Sequence, residues 1–138
     1  MRARTIRRGA GMALAAAALT TTMAVAGTGT ASASTGGGCA GPTYKNVCIS
    51  DHNNGRIGAD AYLNFGNIDS RCYMDFGVFD KTSWSFATSQ AVSCQNGYQH
   101  LGIELTNPAQ GHDYVGFVHV HWTGDSNSDG TDSAVLHY

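Results

Sequence analysis

Basic residues are scarce once the first 33 positions are set aside. Arg2, Arg4, Arg7 and Arg8 lie in that leader. Beyond it Lys45, Arg56, Arg71 and Lys81 face all ten acidic residues, so the remainder carries 4 − 10 = −6, where the whole chain carries −2. A surface of that sign argues against nucleic acid or anionic membrane as a partner, because both need a basic footprint. Glutamate is nearly missing: Glu104 stands alone, which leaves little for a glycosidase pair of carboxylates. There is no Gly-x-Ser-x-Gly elbow and no Cys-x-x-Cys pair, so an elbow-type serine hydrolase and a zinc ribbon both lose their usual signatures. After the leader no apolar run approaches the roughly 20 residues of a membrane helix. No segment carries a capped helical stripe.

What is present begins with an export signal over residues 1–33. Four arginines precede an Ala-rich apolar run from Met12 to Gly27, and Ala31-Ser32-Ala33 offers the small-residue cleavage pattern. The twin Arg7-Arg8 is followed by Gly9-Ala10-Gly11 rather than by apolar residues, which favours the general secretory route. The mature chain is expected to start at Ser34, outside the cell, and to be released rather than anchored. Its length suits one domain.

Four cysteines in such a chain read as two disulfides. Three pairings are possible, and the expected one joins Cys39 to Cys48 and Cys72 to Cys94. The secondary-structure signal is alternation with period two. Ile57, Ala59, Ala61, Leu63 and Phe65 interleave with polar or small neighbours, and Cys72, Met74, Phe76 and Val78 do the same. Further strands are expected near Val47 to Ser50, Ser83 to Cys94, Tyr98 to Thr106, Tyr114 to Trp122 and Ser133 to Tyr138, separated by turn signals such as Asn53-Asn54-Gly55 and Gln95-Asn96-Gly97. About seven strands predict an all-β fold, a single small antiparallel β-sandwich over residues 44–138, with a small barrel as the alternative. Residues 34–43, rich in glycine, predict a flexible amino-terminal arm, which could serve as a plain linker or insert into a partner.

Two patterns bear on metals. His119-Val120-His121 places both imidazoles on one face of a strand, and register adds His137 to that face. The plainer alternative is a polar or partner-docking face. Asp125 to Thr131 opens like a calcium loop, but the position for its bidentate glutamate is Leu136. No metal or cofactor is therefore assigned. No catalytic constellation emerges either: serines and histidines are plentiful, but nothing in the sequence groups them as nucleophile and base. Large rings are abundant instead, among them Tyr73, Trp84, Phe86, Tyr98 and Phe117, and several fall on the face opposite the expected core. Such rings suit macromolecular contact.

The Ser34 to Gly38 arm, the four cysteines and the strand-rich body ending at Tyr138 give a chain similar in layout to the adaptor subunits of umbrella toxin particles. These are secreted antibacterial assemblies of filamentous actinobacteria, in which a small β protein joins a lectin subunit to a large toxin chain. The resemblance implies a non-catalytic bridge, with the arm, Gly36, Gly37 and Gly38, engaging the lectin-like subunit and the sheet docking the toxin subunit. The partner-binding expectation on the sheet falls on Phe117, His119 and His121. Rival readings are a secreted inhibitor of proteases or glycosidases, with Gln95-Asn96-Gly97 as its loop, and a free carbohydrate-binding or antimicrobial domain, which would need Trp84 and Trp122 exposed, whereas the strand pattern puts Trp122 inside.

Overall fold

Ile57, Ala59, Ala61 and Leu63 are all fully buried on one side of their strand, as the alternation requires. The structure is a computed structural model that describes residues 34–138; the leader and its expected cleavage site lie outside the described residues. In chain order the strands are β1 (Thr35–Gly36), β2 (Gly38–Ala40), β3 (Lys45–Asp51), β4 (Arg56–Phe65), β5 (Cys72–Asp80), β6 (Ser85–Ser93), β7 (Gly97–Thr106), β8 (Asp113–Trp122), β9 (Ser128–Asp132) and β10 (Leu136–His137). They form two antiparallel sheets. One runs β2-β3-β4-β7, and the other runs β1-β10-β8-β5-β6 with β9 also paired to β8. No helix occurs among the described residues, so none there is long and apolar enough to cross a membrane.

The sandwich core is the meeting of the two inward sets. Val47, Ile49, Ile57, Ala59, Ala61 and Leu63 come from one sheet, and Met74, Phe76, Val78, Val118, Val120 and Leu136 come from the other. Both disulfides are those expected from the sequence. Cys39 and Cys48 are directly opposed across the β2–β3 ladder, with Cα atoms 3.9 Å apart. Cys72 at the start of β5 joins Cys94 just past the end of β6, at 5.6 Å.

The arm expected over residues 34–43 is not a free arm. Thr35 and Gly36 pair with His137 and Leu136, Gly38 to Ala40 pair with β3, and the Gly37 amide donates to the Val135 carbonyl at 2.7 Å. Glycine is required there. At Gly36, with φ +84°, a Cβ would stand 2.6 Å from the Val135 oxygen, and at Gly37 it would stand 2.8 Å from the Ile49 oxygen. The composition that reads as flexibility serves close backbone approach and left-handed dihedrals.

The calcium-loop pattern also dissolves into the sheet. Ser128 to Asp132 form β9, the Asp125 carboxylate accepts the Asn127 amide at 2.9 Å in a local turn, and Leu136 is buried. Asp129 points between the sheets. There it meets Lys45, whose side chain is buried on β3, at 2.5 Å.

Candidate functional site

The outward face of the larger sheet is built by the residues that alternate with its core. On β5 these are Tyr73, Asp75, Gly77 and Phe79; on β8 they are Val115, Phe117, His119 and His121. A register shift between Val78 and Phe79 brings Phe86 of β6 opposite Phe79, on this same face. The β6 backbone passes so near β5 that a Cβ on Gly77 would lie 2.1 Å from the Thr88 oxygen. Only glycine fits there.

These rings form one connected path. Trp84 meets Phe79 edge-on at 5.9 Å between ring centres, Phe79 meets Phe86 at 5.3 Å, and Phe86 meets Phe117 at 5.2 Å. Phe117 continues to His119 at 5.2 Å, His119 to His121 at 6.4 Å, and His121 stacks on Tyr73 at 5.0 Å. Edge-on and offset contacts of this kind each add a fraction of a kcal/mol to about 1.5 kcal/mol beyond burial. Trp84 remains 78% exposed, Phe86 62% and Tyr73 41%. Between Phe79, Phe86, Val115, Phe117, His119 and Asp132 lies a shallow depression of about 150 Å³.

The backbone at Trp84 adds to this picture. Asp80 accepts the Thr82 and Ser83 amides at 2.9 and 3.1 Å, and the turn closes with Trp84 at φ +53°. A bulky residue in that region costs about 1–2 kcal/mol. The chain thus holds its most exposed large ring in an unfavourable dihedral. Asp80 itself is pulled two ways: burial acts to raise its carboxyl, but hydrogen bonds from His112, at 2.8 Å, and from Ser83 and Thr82 outweigh burial and hold it below the usual carboxylate range.

The residues singled out from the sequence divide. His119 and His121 do lie on the exposed face, His119 leaning over Gly130 of β9, where a Cβ would stand 2.8 Å from its ring. Phe117 shares the face but is only 2% exposed, because Phe86 covers it; it supports the contact surface rather than forming it. His137 is on the predicted face but at the wrong end, opposite Asp113 and not beside His119, since β10 meets β8 only at that strand's start. No group of three or more His, Cys, Asp or Glu side chains among the described residues could hold a metal ion. Gly36 and Gly37 are tied into their own domain, and Gly38 alone has open space at its α-carbon.

Instead of converging, the six histidines each take a different carboxylate. His52 pairs with Glu104, His100 with Asp60, His112 with Asp80, His119 with Asp132, His121 with Asp75 and His137 with Asp113, at 2.8 to 3.9 Å. The His121 Nε2 lies 3.2 Å from Asp75 without the angle of a hydrogen bond. Phe79 is the ring of this face that the sequence reading did not name, although period two on β5 puts it, like Tyr73, on the face of His119 and His121.

A second concavity, a cleft of about 330 Å³, opens at one end of the sandwich. Tyr44, Phe65, Ile68 and Trp122 wall it, with Asn67, Asp69 and Asp129 at its rim. Trp122, expected inside, is half-buried against the core here. Asp69 is held below the usual carboxylate range by hydrogen bonds from its neighbour Arg71. Comparison of the chain with protein-family models, with curated proteins and with solved structures returns no match.

Proposed function

We propose that this chain is a secreted, non-catalytic adaptor that binds other secreted proteins through the aromatic face of β5, β6 and β8. It works as a component of an extracellular antibacterial assembly, between a lectin-like and a large toxin subunit. The observation that carries the reading is the exposure of Trp84 and Phe86 on a connected stripe of rings beside a side-chain-sized depression. Large rings at the rim of a pocket are what anchor protein interfaces, where truncating one costs 2 kcal/mol or more. The two disulfides fit an oxidising compartment, and the layout resemblance supplies the kind of partner. Docking falls to the sheet face, since the glycines of the expected arm serve their own domain.

Purification of a tagged copy from the native culture supernatant, followed by size-exclusion chromatography and mass spectrometry, tests this. Recovery in a large particle with a lectin-like and a toxin-like chain supports the reading. A lone monomer in a supernatant that contains both subunits sinks it.

The end cleft favours one other reading, a free carbohydrate-binding domain. Tyr44, Phe65 and Trp122 offer faces for a sugar ring, and Asn67, Asp69 and Asp129 offer polar partners. Titration of Trp122 fluorescence with simple sugars and with cell-wall oligosaccharides discriminates the two. Saturable quenching that Trp122→Phe removes would support the carbohydrate reading.

A further inference from the structure

Charge is unevenly distributed along this acidic chain. From Thr82 to Ile103 there is no Asp, Glu, Lys or Arg. That stretch is β6, the turn after it and most of β7, and each of these strands is an edge of its sheet. Proteins commonly guard open edges with lysine, proline or inward-pointing charge. β6, Ser-Phe-Ala-Thr-Ser-Gln-Ala-Val-Ser, carries none of these. Its one irregularity, the register shift at Val78 and Phe79, lies at the Phe86 end, so Thr88 to Ser93 pair with β5 in unbroken register and leave their outer edge free. Ser89, Gln90 and Ala91 along that edge are exposed.

We propose that β6 is a self-association edge, onto which β6 of a second copy pairs antiparallel, joining the two larger sheets into one. Three properties point to a second copy of this chain as the occupant. A two-fold axis at Ser89 sets Thr88 against Gln90 and, past the irregularity, Ala87 against Ala91, Phe86 against Val92 and Ser85 against Ser93, so that polar meets polar, small meets small and apolar meets apolar. Two domains that each carry −6 repel wherever carboxylates would face one another, and β6 offers a contact strip without any. The nearest carboxylates, Asp75 and Asp80 on β5, sit one strand spacing back, about 4.8 Å, and are occupied by His121 and His112. Isologous pairing of this kind satisfies the free backbone groups of both edges in one closed dimer.

Sedimentation equilibrium on the disulfide-intact mature chain, from micromolar to about 1 mM, reads the association. The expected result is a reversible monomer–dimer equilibrium that Ser89→Lys weakens by at least about tenfold, because two ammonium groups then meet at the axis. Circular dichroism of S89K checks that the exposed substitution leaves the fold intact. Ser89→Cys provides an independent arm: oxidation is expected to give a covalent dimer on a non-reducing gel, whereas Ser128→Cys on β9 is not. A chain that stays monomeric throughout the range overturns the proposal. So does a dimer indifferent to S89K and not cross-linked by S89C, since its interface lies elsewhere.

Discussion

Lys45 and Asp129 meet at 2.5 Å between the two sheets, the lysine side chain 2% exposed and the aspartate 57%. The lysine occupies an inward position on β3, in line with Val47 and Ile49, and its Nζ also donates to the Asp129 carbonyl at 3.3 Å. β9 is thereby fastened across the sandwich to β3. Its other neighbour is β8.

Removing the two partners has unequal consequences. Asp129→Asn leaves a buried ammonium without its counter-charge, but the site opens to water on the aspartate side, so the cost should fall below the 3–5 kcal/mol of a fully buried pair, at about 1–2 kcal/mol. Lys45→Met keeps the packed stem and removes the charge that needed a partner, so its cost should stay under about 1 kcal/mol. Urea unfolding of the two variants measures the difference; equal losses would contradict this account of the pair.

Trp84 tests whether the aromatic face is kept for stability or for contact. Trp84→Gly relieves an unfavourable dihedral worth about 1–2 kcal/mol and offsets that gain with backbone entropy of about 0.5–1 kcal/mol. The melting curve should shift by no more than about 1 kcal/mol equivalent, whereas Phe76→Ala in the core should cost about 3–5 kcal/mol. A large loss at Trp84 would make the ring part of the structure.

Acid should weaken the fold partly through Asp80. Its carboxyl is held below the ordinary range in the folded chain, so it contributes stability that is fully present above the unfolded value near 3.9 and is lost as pH falls through the folded value. Asp80→Asn removes that dependence and the bond to His112 together. Stability against pH should then be lower at neutrality and flatter below pH 4. An unchanged acid limb would contradict the assignment.

The disulfides should differ in weight. By loop-closure entropy, with a sequence separation of 22 for Cys72 and Cys94 and of 9 for Cys39 and Cys48, the first is worth about 3.4 kcal/mol and the second about 2.6 kcal/mol. Paired Cys→Ser variants measured by guanidinium unfolding report the order.

The long strands were legible in the sequence, because β4, β5 and the second half of β8 alternate strictly enough to fix which residues face inward, and the disulfide pairing is the expected one of the three that four cysteines allow. β1, β2 and β9 were not. Thr35–Gly36, Gly38–Ala40 and Ser128–Asp132 are short and made of small or polar residues, so they carry no period, and their partners lie far away in sequence. His137 shows the same limit: parity gave its face, but its position along β8 depends on where β10 docks. The burial of Phe117 depends on the β6 irregularity that carries Phe86 over it, which no local pattern announces.

The adaptor role is tested most directly by purifying tagged wild-type and Trp84→Ala/Phe86→Ala chains side by side from the native culture supernatant, with size-exclusion chromatography and mass spectrometry as the readout. The account predicts that the wild type elutes in a large particle with a lectin-like and a toxin-like chain, while the folded double variant is released as a small species without one or both. A wild type recovered alone, or a double variant that assembles as fully as the wild type, would contradict it.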